Sequence, residues 1–176
     1  MSVDHVKSTS ITNLDATPAV INTAGEGGIG HLKSIEGSAV ALASSSVDAT
    51  YQLVRVPTTA KVKNVWFESA AQTAGKFDIG VYYATDGEFG NPTALLAAAA
   101  ISQAFFAAAV DCASAVVKAD YTNNSGNYTI DKRTKQLWDA LGLSSDPGGY
   151  FDIVATVKTT AVTTGTGRLG VQVEFV

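Results

Sequence analysis

Two segments of this 176-residue chain alternate strictly between apolar and other positions, and that alternation constrains its fold more than any other feature. In residues 76–84, Phe77, Ile79, Val81 and Tyr83 fall on one side of an extended backbone, and Asp78, Gly80 and Tyr82 on the other. In residues 168–176, Leu169, Val171, Val173 and Phe175 oppose Gly170, Gln172 and Glu174. Successive side chains of a strand point to opposite faces, whereas a helix would scatter these positions around its axis. Each segment therefore predicts a half-buried strand.

Other segments rich in Val, Tyr, Phe, Ile and Thr extend the pattern: residues 51–56, stopped by Pro57, and then 61–69, 116–121, 128–130 and 150–159. In 150–159, Phe151, Ile153, Ala155 and Val157 share a face. Turn residues separate these segments at intervals that fit an all-β antiparallel sandwich. The short Thr58-Thr59-Ala60 link suggests a hairpin. The link 160–167 suggests that the last two strands pair with each other.

One or two short helices complete the expectation. Residues 134–141 have Thr134 as a cap, Leu137, Trp138 and Leu141 on one face, and Gly142 as a stop. Residues 93–110 are ambiguous: Thr93 and the alanines favour a short helix at the start, while Ile101, Phe105 and Phe106 suit strands. Residues 1–35 are polar, small and glycine-rich, with scattered apolar positions that include Val6, Ile11, Leu14, Val20 and Ile21. They read as an extended N-terminal arm with a hinge at Gly25-Glu26-Gly27-Gly28-Ile29-Gly30, ahead of a single sandwich domain over 36–176. The start of the chain lacks the basic-then-apolar pattern of a secretory signal, which predicts synthesis in a cytoplasm. The longest apolar stretch is mostly alanine and is interrupted by Ser102 and Gln103, so no membrane anchor is expected.

Charge narrows the function classes. Only 16% of residues are charged and the net charge is −4, which gives no electrostatic footprint for nucleic acid. Cys112 is the single cysteine, which excludes an intrachain disulfide and leaves no Cys/His cluster for structural zinc. Gly25-x-Gly27-x-x-Gly30 spells a dinucleotide fingerprint, but no βαβ context surrounds it. His5 and His31 both lie in the arm and read as surface residues rather than a general base. Cys112 lacks a nearby base and reads as a small packing residue. Asp78, Asp86, Glu88, Asp146 and Asp152 could form a glycosidase couple or a calcium site only by meeting in space, since nothing in their spacing demands it. No catalytic residue, cofactor or metal is therefore expected. Tyr51, Trp66, Tyr82, Tyr83, Tyr121, Tyr128, Trp138 and Tyr150 read first as packing residues and second as a carbohydrate-binding surface.

Two runs carry a resemblance. One is Leu53-Val54-Arg55-Val56-Pro57-Thr58-Thr59-Ala60-Lys61-Val62, leading to Phe77-Asp78-Ile79-Gly80-Val81-Tyr82. The other extends from Leu137-Trp138-Asp139-Ala140-Leu141-Gly142 through Pro147-Gly148-Gly149-Tyr150-Phe151-Asp152-Ile153. Over residues 50–85 and 135–176 the chain resembles small head proteins of tailed bacteriophages, the capsid decoration or cement proteins. The resemblance implies a jelly-roll-like sandwich on the outer surface of a virion, with the major capsid protein as partner and a dimer or trimer as the assembly. The low charge and the lack of a long apolar span predict no nucleic acid or membrane partner. The arm, through Val6, Lys7, Ile11, Leu14, Val20 and Ile21, is the expected partner contact, because a flexible segment can order on a neighbour. A carbohydrate-binding or fibre-type sandwich module of a virion is the alternative.

Overall fold

The computed structural model describes residues 5–17, 32–42, 45–72, 75–84, 100–158 and 167–176. Nine strands occur among them: β1 (His5–Lys7), β2 (Lys33–Val40), β3 (Thr50–Pro57), β4 (Val62–Ser69), β5 (Lys76–Tyr83), β6 (Ala100–Asp111), β7 (Val116–Asp120), β8 (Tyr150–Val157) and β9 (Arg168–Phe175). Three short helices accompany them: α1 (Thr9–Leu14), α2 (Ile130–Arg133) and α3 (Leu137–Ala140). The strands form a five-stranded sheet, β1-β3-β8-β5-β6, and a four-stranded sheet, β2-β9-β4-β7. Only the β1–β3 pairing is parallel. The protein is a mainly β sandwich, as the period-2 segments predict.

The core lies between the sheets. Leu53, Val65, Phe67, Phe77, Ile79, Phe151, Ile153, Leu169 and Val173 are buried together. Phe105, Phe106 and Tyr128 pack ring against ring within it, with centroids 5.0–5.3 Å apart.

Strands β3, β4, β5, β7, β8 and β9 fall where the sequence predicts strands, but their partners are not the expected ones. The Thr58-Thr59-Ala60 link makes no hairpin: β3 belongs to the larger sheet and β4 to the smaller. α3 docks on the link, where Leu137 N donates to Ala60 O (2.8 Å) and Trp138 N to Thr58 O (3.1 Å). The link is thereby used to cross between layers. The last two strands do not pair either. β8 lies between β3 and β5, while β9 lies between β2 and β4. Between consecutive described strands, only β5–β6 stays within one sheet.

Three local expectations are corrected. Thr134 ends α2 rather than opening a helix, and the expected 134–141 helix is confined to α3. Residues 128–130 are not a strand, because Tyr128 turns inward and its hydroxyl donates to Val62 O (3.1 Å). β5 is buried on both faces rather than one, because a Cβ added at Gly80 would lie 2.1 Å from Gln103 O. The backbone of β6 thus lies directly over Gly80, and three register shifts in the β5–β6 ladder accompany that approach. Residues 100–110 are strand; the helix expected from Thr93 falls outside the described residues.

Of the span read as arm, residues 5–17 pack onto the sandwich. Val6 pairs with Tyr51, Ser8 N donates to Gln52 O (2.7 Å), and α1 packs against β2 and β3. Ser8 caps α1 by accepting from Ile11 N (3.2 Å), and its hydroxyl donates to Leu53 O at the β3 bulge. β2 begins at Lys33, inside the span read as arm.

Candidate functional site

The groove on the outer face of the four-stranded sheet is built by strand alternation. Inward residues Ile35, Val65, Phe67, Val171 and Val173 belong to the core, so their neighbours point outward. Register aligns them in rows: Glu36, Gln172, Trp66 and Asp120 form one, and Ser38, Gly170 and Glu68 the next. Gly170 removes a side chain from the middle of the face. A Cβ there would meet the Glu68 side chain at 2.9–3.0 Å, so Glu68 lies across the floor that the glycine leaves. The result is a groove of about 490 Å³ lined by Glu36, Ser38, Trp66, Glu68, Lys118 and Gln172, among others.

Trp66 is half-buried, and Lys118 Nζ sits 5.4 Å from its ring centroid, within cation–π range. Lys118 adopts φ 36°, a left-handed backbone that a non-glycine residue holds at a cost of about 1–3 kcal/mol. Gln172 Nε2 donates to Ser34 Oγ (3.0 Å), while its Oε1 is buried without a hydrogen-bond partner. Asp120 closes the row. Burial pushes its carboxyl upward, but hydrogen bonds from Thr122 and Asn123 outweigh this and hold it below the usual carboxylate range.

A second polar cluster is buried under the N-terminal segment. Arg55 pairs with Asp152 through Nε–Oδ1 (2.7 Å) and Nη2–Oδ2 (3.0 Å), and its Nη1 reaches Asp15 Oδ1 at 2.6 Å. Asp15 also accepts from Lys7. Arg55 and Asp152 side chains are 1% and 0% exposed. A bidentate guanidinium–carboxylate pair satisfies both groups in a site that water does not reach.

The residues singled out from the sequence occupy scattered places in the fold. Val6 and Leu14 are half-buried, Lys7 is exposed and Ile11 is fully buried; Val20 and Ile21 lie outside the described residues. Asp78 and Asp152 do not converge: Asp78 accepts from Ala109 N (2.7 Å), and Asp152 is held by Arg55. Asp146 accepts from Gly148 N in its own turn (2.9 Å). Asp86, Glu88, His31 and the Gly25–Gly30 run lie outside the described residues. Cys112 is buried, and loss of solvation pushes its thiol up to about 11. Among the described residues no group of three His, Cys, Asp or Glu is placed to hold a metal ion, and no helix is long and apolar enough to cross a membrane. Of the aromatics considered for sugar binding, Tyr51, Tyr82 and Tyr128 are core residues, and Tyr83 and Tyr121 pack edge-on against Phe151 and Phe67. Trp66 alone among the eight lines the groove.

Sequence reasoning places Gly170, Gln172 and Glu174 on an outward face but does not connect them to Glu36, Trp66 and Lys118, which are brought in by long-range pairing. Arg55 and Asp152 carried a usable signal. Each is a lone charge within an apolar strand, a pattern that calls for a buried partner.

No family model matches the chain, and no curated protein matches it in sequence. Among solved structures, 98% of the chain superposes on 97% of a chain from the capsid of Ralstonia phage GP4, with TM-score 0.63 and 13% identity. A chain of the cyanophage Pam1 capsid asymmetric unit aligns over 91% of this chain and 94% of its own length, with TM-score 0.41 and 16% identity. The first likeness shows a shared fold.

Proposed function

We propose that this chain is a non-catalytic structural protein of a tailed-phage virion that binds the outer surface of the capsid and braces neighbouring capsomers. The observation that carries the reading is the likeness, across nearly the whole of both chains, to a protein in the capsid of Ralstonia phage GP4. The strand order supports it further. Sheets ordered β2-β9-β4-β7 and β3-β8-β5-β6, with every consecutive pair from β2 to β9 except β5–β6 crossing between them, are consistent with the interleaved Greek keys of a jelly roll. The partner is the major capsid protein, and the chain acts as a dimer or trimer on a lattice where many modest contacts add through avidity. A surface with few charges and many small residues loses little side-chain entropy on burial, which suits such contacts.

Quantitative mass spectrometry on purified particles of the source virus, before and after a wash that strips loosely held proteins, tests this. The expected result is a copy number in proportion to the coat lattice, with the chain removable while the head stays closed. A few copies per particle, or none, overturns the reading.

A further inference from the structure

We propose that the groove over Gly170 is a binding site for a neutral carbohydrate, with the Trp66 ring as its stacking wall. The proposal is independent of the virion reading, since it rests on the chemistry of one sheet face. The lining mixes acceptors and donors around a single aromatic ring: the Glu36 and Glu68 carboxylates, the Gln172 amide, the Ser38 hydroxyl and the Lys118 ammonium. A sugar supplies what this lining lacks. Its hydroxyls donate to carboxylates and accept from an ammonium, while its C–H faces lie against an indole ring.

Other ligand classes fit less well. A phosphate or other anion meets Glu36 and Glu68 at the groove walls. A purely apolar ligand would remove both carboxylates from water without giving them a partner. A cation would be repelled by the Lys118 ammonium, which lies over the Trp66 face. Two further observations point to a ligand rather than a bare sheet surface. Gln172 Oε1 has no hydrogen-bond partner, and it belongs to the same row as Trp66. Lys118 is held at positive φ beside the ring, the kind of local strain that gathers at binding sites. The volume of about 490 Å³ falls within the range of small-molecule sites.

The groove requires Lys118 to share or leave the Trp66 face when sugar enters, so sugar binding should change Trp66 emission. The test uses the full chain carrying Trp138→Phe, which leaves Trp66 as the only tryptophan. It is screened on an array of neutral, sialylated and sulfated glycans, and hits are titrated by fluorescence. Expected are selective retention of one or more neutral glycans, a saturable change in Trp66 emission, and, by isothermal titration calorimetry, about tenfold or greater loss of affinity in Trp66→Ala. Gln172→Ala, on the solvent-facing side of β9, should weaken the same glycan while the circular dichroism spectrum stays unchanged. Retention of no neutral glycan overturns the proposal, as does equal affinity in Trp66→Ala. If Trp66→Ala loses capsid particles while no glycan binds, the groove is a protein contact and the carbohydrate assignment falls, though the virion reading stands. If glycans bind and particles do not, the reverse holds.

Discussion

At the scale of single residues, the buried ion pair decides more than any surface charge. Arg55 and Asp152 sit within otherwise apolar strands, and each is a liability without the other. Asp152→Ala takes the bidentate carboxylate away from a buried guanidinium, and should lower unfolding free energy by about 3–5 kcal/mol in urea titrations. Arg55→Met combined with Asp152→Leu removes both fully buried charges and should cost clearly less than either single change, because the carboxylate left behind, Asp15, is partly exposed and keeps Lys7. Equal or greater loss in the double variant would show that the pair itself, rather than the orphaned charge, carries the stability. Cys112 gives a second residue-scale expectation, with a defined pH window. Its thiol is raised in the fold from 9.0 to about 11, chiefly by burial. Below pH 9 both states keep the proton. Between pH 9 and 11 the unfolded chain releases it and the folded chain retains it, so stability contributed by this group is lost as pH rises. A shift of this size corresponds to about 2–3 kcal/mol. Urea midpoints measured across that range should fall, and Cys112→Ala should flatten the fall while Tyr82 and Tyr128, also raised by burial, retain their own share.

At the scale of elements, the sequence was legible wherever a strand's own alternation carried the information. Leu169, Val171, Val173 and Phe175 are buried as their spacing requires. What failed was partner choice and layer assignment, because these depend on residues remote in sequence. Nothing in Thr58-Thr59-Ala60 announces that α3 will bind its carbonyls and turn it into a crossing. Nothing within residues 76–84 reveals that β6 will cover Gly80. The groove was half-legible for the same reason: its outward residues on β9 follow from period 2, but their meeting with Glu36 and Trp66 is a matter of register. The N-terminal segment shows how low local hydrophobicity can mislead. Its polar text hides one well-placed apolar residue, Ile11, which is fully buried, and one cap, Ser8, that bonds the β3 bulge. Ile11→Ala should therefore destabilise the whole chain by about 2–5 kcal/mol, as a core truncation does. A thermal melt unchanged by this substitution would mean that the segment is not docked in solution, and would return residues 1–17 to the role of a free arm.

At the scale of the whole molecule, the centre of each sheet comes from the end of the chain. β8 is flanked by β3 and β5, and β9 by β2 and β4, so neither layer has its middle until the last strands are in place. Contacts of this kind close long loops before they are rewarded, which makes folding slow relative to chains held by neighbouring segments. The same topology ranks the two termini. β1 is a three-residue edge strand, and removing residues 1–17 takes away β1, α1 and the Asp15 contact to Arg55 but leaves both sheets with their central strands. Removing residues 168–176 instead withdraws β9 from between two partners, exposing the edges of β2 and β4 and uncovering Phe67 and Ile35 from their neighbours in the core. The N-terminal deletion should give a soluble chain with native far-ultraviolet circular dichroism and a lowered melting temperature. The C-terminal deletion should give a chain without dispersed amide proton signals, prone to association through its exposed strand edges. A cooperative melt in the C-terminally truncated chain would show that the five-stranded sheet and its attached elements fold without the second layer, and that the sandwich assembles by docking rather than as one unit.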